Sequence, residues 1–166
     1  MKIFDTSSLI LVLGDLNRPN LITDFIPEHE LIVPNCVFHE IIREPTKKNI
    51  DKLIREKKVT ISNRISLIEI EEFRSFNPRL GKGECETILL CKNCKKNEEG
   101  YCCILDDKQA RKSAERIGLK FTGTIGMLQK LVKKGKMPIE LYETLLQELE
   151  KAGFYIDPKL LKLDEK

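Results

Sequence analysis

Short apolar runs alternate along the chain with longer stretches of helical periodicity. Ile3-Phe4 reads as a strand that stops at Asp5. Thr6, Ser7 and Ser8 follow, residues that cap helices, ahead of the apolar residues 9–13. A strand that runs straight into a helix is half of a βαβ unit. Pro19 opens a second helix, with Leu21, Ile22, Phe25 and Ile26 at helical spacing and Pro27 at its end. Leu31-Ile32-Val33 has the all-apolar look of a strand covered on both faces. Asn35 is placed to cap a helix over residues 36–43, which Pro45 breaks. Thr46 caps the next, with Ile50, Leu53 and Ile54 inward, and Val59-Thr60-Ile61 is a further strand.

Residues 64–76 fit a helix and a strand equally badly. Gly81-Lys82-Gly83 then opens a strong helix from Glu84 to about Lys95, with Glu84, Ile88 and Cys91 on one face. Residues 101–105 form a strand that stops at Asp106-Asp107, and a helix follows with Ala110, Ala114 and Ile117 inward. Leu119-Lys120-Phe121-Thr122 is the fifth strand. Two helices come after it, one with Met127, Leu128, Leu131 and Val132 inward, the other with Tyr142, Leu145, Leu146 and Leu149. Gly153-Phe154-Tyr155-Ile156 adds a last short strand before a polar tail. Alternation of this kind predicts one α/β domain with a mainly parallel sheet and helices on both faces. The expected division is a domain over residues 1–155 and a tail over 156–166.

Composition adds little to that picture. Charged residues make up 33% of the 166, yet 29 basic and 26 acidic side chains leave a net +3, too little to argue for a nucleic-acid partner. The Lys- and Glu-rich balance without Trp leans toward a thermophile. Lys47, Lys48, Lys52, Arg55, Lys57 and Lys58 line one side of the Thr46 helix, which reads as a solvated face before it reads as a nucleic-acid contact. No stretch is long enough to span a membrane, and the start lacks the pattern of a signal peptide, so a cytoplasmic protein is expected.

Six cysteines change the picture more. Cys91, Cys94, Cys102 and Cys103 fall close together, but the second pair lacks the two-residue spacer of a zinc knuckle. Buried free thiols are the expected state, with zinc or a disulfide as alternatives.

The acidic residues carry the candidate chemistry. Asp5, Glu40 and the doublet Asp106-Asp107 all follow carboxyl ends of strands, and Glu84 starts a helix that enters the same edge. Ligands in open α/β sheets bind at that edge. Asp5 has a plainer reading too, as the cap of its helix. Carboxylates gathered there repel, and a divalent cation relieves the repulsion. Oxygen-only ligands suit Mg2+ or Mn2+. Such a site suits phosphodiester hydrolysis, with Lys108, Arg111 and Lys112 near enough to hold the substrate backbone. His39 flanks Glu40 and reads as an exposed bystander.

On these residues the chain resembles the PIN-domain ribonucleases. The matching segments are Ile3-Phe4-Asp5-Thr6-Ser7, Val37-Phe38-His39-Glu40, Gly83-Glu84-Cys85-Glu86 and the eight residues 104–111 from Ile104 to Arg111. Gly123-Thr124-Ile125-Gly126 is similar to one prokaryotic subgroup, which includes toxins of the VapC kind. The resemblance implies a three-layer α/β/α sandwich around a five-stranded, mainly parallel sheet with Asp5 on its central strand. It implies metal-dependent cleavage of RNA, with Asp5, Glu40, Glu84 and either Asp106 or Asp107 as the acids and with Thr6 and Ser7 orienting Asp5 or a water. It also implies an antitoxin protein and a second copy of the chain as partners. The third acid is Glu where many members carry Asp, and the cysteine cluster has no counterpart.

Two other readings stand beside it. A PIN-fold protein without catalysis would bind RNA or act as a scaffold. A phosphotransfer protein would use Asp5 as the phosphate acceptor, but its phosphatase form needs Asp where Ser7 stands, and receiver domains carry their acidic doublet after the first strand.

Overall fold

Five of the apolar runs become strands: β1 (Lys2–Phe4), β2 (Leu31–Pro34), β3 (Val59–Ser62), β4 (Cys102–Ile104) and β5 (Phe121–Thr122). The computed structural model describes residues 1–26 and 31–156. The strands form one sheet in the order β3-β2-β1-β4-β5, and every neighbouring pair is parallel. Parallel neighbours cannot be joined by a tight turn, so helices make the crossovers. Between β1 and β2 run α1 (Thr6–Ile10), a π-helical turn (Leu11–Asp15) and α2 (Pro19–Phe25). Between β2 and β3 run α3 (Asn35–Glu40) and α4 (Thr46–Arg55), and between β3 and β4 run α5 (Leu67–Ser75) and α6 (Lys82–Lys96). Then α7 (Lys108–Arg116) leads from β4 to β5, and α8 (Thr124–Lys133) and α9 (Ile139–Lys151) follow.

Side chains alternate across a strand, and that alternation makes the layers. Ile3, Cys103 and Leu105 point to one face, where Ile70, Ile88, Cys91, Ala110 and Ala114 from α5, α6 and α7 cover them. Phe4 and Ile104 point to the other, against Leu9, Leu21, Ile50, Leu128 and Tyr142 from α1, α2, α4, α8 and α9. The predicted α/β/α sandwich is therefore present, with β1 at its centre. From β1 the chain builds the sheet outward to β3, then crosses back to lay β4 on the other side. That reversal opens a crevice at the carboxyl ends of β1 and β4. Phe4 is in register with Ile104, and the Asp5 N–H donates to the Ile104 carbonyl at 3.1 Å.

Several expectations need correction. The ambiguous stretch is helical: Ser66 caps α5 in a capping box, its Oγ taking the Glu69 N–H at 3.3 Å while the Glu69 carboxylate accepts the Ser66 N–H at 2.9 Å. Its periodicity was obscured because Leu67, Ile68 and Phe76 are exposed while Ile70 is buried. Residues 153–156 form no strand; Phe154 and Ile156 pack on the Phe4 core instead. The helix expected over 36–43 stops at Glu40, and Asn35 does not cap it. Thr46 begins α4 without capping it. Pro27 and the tail beyond 156 lie outside the described residues.

Cys91 of α6 and Cys103 of β4 are joined as a disulfide, with Cα atoms 6.5 Å apart, where free thiols were expected. Cys103 points to the face that α6 covers, which is why the two meet. Cys36, Cys85, Cys94 and Cys102 are free. A four-sulfur zinc site does not form, because Cys102 faces the Phe4 core while Cys91, Cys94 and Cys103 lie in the other. On α4, Lys47 pairs with Asp51 at 2.7 Å and Lys52 with Glu56 at 3.8 Å, the i,i+4 pairing of a solvated face. Among the described residues no helix is long and apolar enough to cross a membrane.

Candidate active site at the strand ends

Asp5 leaves the sheet one residue after β1 and turns into α1. Its Oδ1 accepts the Ser8 N–H at 2.8 Å and caps that helix. Its Oδ2 is buried and without a hydrogen-bond partner, the only such side-chain atom among the described residues. Burial pushes the carboxyl up to about 7, against the hydrogen bonds of Ser8, and the charges of Asp106 and Glu84 push the same way. The capping reading and the chemical reading of Asp5 thus apply to different oxygens of one side chain.

Glu40 is the last residue of α3. Its Oε1 accepts the Gly83 N–H at 2.9 Å, and its Oε2 accepts the Thr6 hydroxyl. Thr6 therefore orients Glu40 rather than Asp5, and the residue serving Asp5 is Ser8. Ser7 is half-buried beside them. Glu84 lies half-buried in the first turn of α6. Burial raises its carboxyl, opposed by backbone hydrogen bonds, and the charges of Glu40 and Asp107 raise it further.

The acidic doublet divides its work. Asp107 caps α7, its Oδ1 accepting the N–H groups of Gln109 at 2.8 Å and Ala110 at 2.7 Å. Asp106 accepts the Thr124 N–H at 2.9 Å, the Thr124 hydroxyl, and Arg111 Nη2 at 3.3 Å. Arg111 Nε also donates to the Leu105 carbonyl at 2.7 Å. Arg111 thus folds back over the end of β4, whereas Lys108 and Lys112 are exposed as the pattern predicts. His39 is exposed and packs edge-on to Phe38, with ring centroids 5.7 Å apart.

All five predicted acids stand at one end of the sheet, linked by the fields that raise Asp5 and Glu84. As they lie, no three His, Cys, Asp or Glu side chains among the described residues are gathered to grip one ion. Glu40, Asp106 and Asp107 are each turned toward donors of their own. The fit to a hard divalent cation is in donor chemistry, all carboxylate oxygen, and in the one oxygen left over, Asp5 Oδ2. The Cys36 thiol nearby is no rival nucleophile, since burial and the Glu86 charge push it up to about 12 and the reactive form is the thiolate.

Three of these supports were not predicted. Thr124, the first residue of α8, fixes Asp106 from the end of the adjacent strand β5; the Gly123-Thr124 step at a strand end is the signal. Gly83 is required because a Cβ there would sit 2.5 Å from Glu40 Oε2 and 2.6 Å from Thr6 Oγ1. Gly83→Ala should leave the fold intact and displace Glu40; if Glu40 serves a reaction, kcat falls roughly 10–100-fold, the usual cost of disturbing a ligand's support. Glu86, buried in α6, accepts the N–H groups of Asn35 at 3.2 Å and Cys36 at 2.6 Å and so caps α3 from outside.

Two clefts flank the acids. One of about 340 Å³ lies beside Glu40 and is lined by Ile10, Ile42 and Arg43 among others. The other, of about 520 Å³, lies beside Asp106. Against this geometry, a family model described as a PIN domain matches residues 1–163. No curated protein matches the chain.

Proposed function

The chain belongs to the PIN-domain family, generally nucleases, and from that premise we propose that it is an endoribonuclease using Mg2+ or Mn2+. One observation carries the reading: a carboxylate oxygen, Asp5 Oδ2, sealed from water with no donor facing it and with the charges of two more acids upon it. Such an oxygen calls for a proton or a cation. Asp5, Glu40, Glu84 and Asp106 are the residues that would hold the ion. Asp106 is favoured over Asp107 because Asp5 feels its charge; both are engaged, Asp106 by Thr124 and Arg111 and Asp107 at the start of α7.

A bound Mg2+ or Mn2+ supplies a more acidic water and offsets charge on the phosphate. The chain's own residues do the positioning. Thr6 and the Gly83 amide aim Glu40, and Thr124 and Arg111 aim Asp106. Lys108 and Lys112, exposed on α7, are suited to hold backbone phosphates. In this reading the protein works in the cytoplasm on RNA, with an antitoxin and a second copy as its protein partners. A neighbouring short gene for a DNA-binding protein would support the toxin role.

A non-hydrolysing RNA-binding protein is the second reading, favoured by the way Glu40 and Asp107 face their own donors. Mn2+ separates the two. The expected result is Mn2+-dependent scission of single-stranded RNA, stopped by chelation. Ion at 100 times its Kd should also raise the melting temperature by roughly 5–10 °C through mass action. RNA retained without cleavage, and no thermal shift at millimolar Mn2+, would leave the second reading.

A further inference from the structure

We propose that Tyr155, with Phe154, forms a shelf on which one base of a single-stranded RNA stacks, next to the phosphate at the acids. The inference rests on the nuclease reading for its substrate and on the geometry of the second cleft for its place. That cleft is walled by Asp106, Lys108, Arg111, Phe154, Tyr155 and Ile156. Its volume of about 520 Å³ falls in the range of roughly 300–1,000 Å³ common to small-ligand sites. Tyr155 is 81% exposed, in a chain with three Tyr and no Trp. Phe154 is half-buried, anchored in the Phe4 core, and Ile156 is buried there, so the exposed ring is carried on a fixed base.

The chemistry of the walls selects the occupant. An apolar, aromatic wall takes the face of a base, and every base has such a face. Lys108, exposed at the start of α7, supplies a cation for the adjoining phosphate. Asp106, held by Thr124 and Arg111, connects this cleft to the carboxylates. A base on Tyr155 would thus fix which phosphate of the strand meets Asp5. Tyr155 is a positioning residue in this account, and a duplex, whose bases are already stacked, cannot use it.

The test uses the full chain in the Asp5→Asn background and a decaribonucleotide carrying 2-aminopurine at successive positions. One position should be quenched on binding, and Tyr155→Ala should release it. The Kd should rise about 5- to 150-fold with Tyr155→Ala, the loss of one stacked base, and stay within about threefold with Tyr155→Phe, which keeps the ring. With Asp5 intact, Tyr155→Ala should raise KM and spread the cut over neighbouring phosphates, and Tyr155→Phe should restore the single position. Equal Kd values with no position quenched overturn the shelf. Tyr155-dependent quenching by a protein that never cuts RNA keeps the shelf and ends the nuclease reading; cutting without any Tyr155 dependence does the reverse. No binding at all ends both.

Discussion

Asp5→Asn is expected to abolish Mn2+-dependent hydrolysis while raising the melting temperature of the metal-free protein at neutral pH. The two effects have one cause. Folding buries Asp5 and lifts its carboxyl from 3.8 to about 7, chiefly through desolvation. The folded chain then holds this proton at pH values where the unfolded chain has lost it. Stability rises with pH where the unfolded state binds more protons; here the folded state binds more, so stability falls. The contribution is whole below about pH 4 and is lost as pH climbs toward 7, an upper bound of about 4 kcal/mol for this one group. Asn keeps the oxygen that accepts the Ser8 N–H and carries no charge to desolvate. At neutral pH it should therefore melt several degrees higher, at roughly 2–4 °C per kcal/mol for a chain of this size. In the same variant hydrolysis should drop about 100-fold or more, since support residues of metal sites alone cost roughly 10–100-fold. Thermal melts of both proteins in chelator across pH 4.5–8.5 check the stability half, because titrating groups remote from Asp5 cancel in the difference and what remains belongs to Asp5 and the acids that share its field. A gap that does not widen with pH would sink the buried-charge account. Equal activity in the variant would sink the nuclease.

The positions of the acids were legible in the sequence for a simple reason. Strand ends are marked locally, by an apolar run that stops at a polar residue, and Asp5 and Asp106 stand at two such stops. That Asp5 belongs to the central strand was implied by family resemblance rather than by any local signal, and β1 does stand in the centre of the sheet. What could not be read was who holds each acid. Thr6 and Glu40 are 34 positions apart, and Thr124 and Asp106 are 18 apart. Hydrogen bonds of that span depend on how layers dock, which periodicity does not encode. The same applies to Cys91 and Cys103. Buried free thiols are what the pattern predicts, but Cys103 faces the layer that α6 covers and meets Cys91 there, while Cys102 faces the other. The pattern leaves α5 ambiguous because Leu67 and Ile68 are exposed and Ile70 alone of its apolar side chains is fully buried, so the stripe that a buried helix shows is absent.

Glu86 gives the second large effect, and it shows what the local reading lacked. In the first turns of α6 it looks like an acid placed to suit that helix's own dipole. Instead it is buried and reaches across to α3, where its two oxygens take the N–H groups of Asn35 and Cys36. Those amides begin a helix that has no side-chain cap of its own, and at its far end stands Glu40. Glu86→Ala leaves both amides facing a hole. Hydrogen bonds to a charged group contribute about 1.5–3 kcal/mol each, so the loss should be roughly 3 kcal/mol or more. That corresponds to a melting temperature lower by roughly 6–12 °C. With α3 loosened at its start, Glu40 should lose its aim, and hydrolysis should fall by roughly 10–100-fold. A third readout separates this cap from general damage. Burial and the Glu86 charge together hold the Cys36 thiol near 12. Removing the charge lets that thiol ionise more readily, so Cys36 should alkylate faster at alkaline pH, followed peptide by peptide in mass spectrometry. Glu86→Gln keeps the volume but offers one acceptor where two amides point, and should lie between the wild type and the alanine variant in stability. A Glu86→Ala protein that melts within a degree of wild type, with Cys36 no more reactive, would mean that α3 is held by its packing and that Glu86 does not cap it.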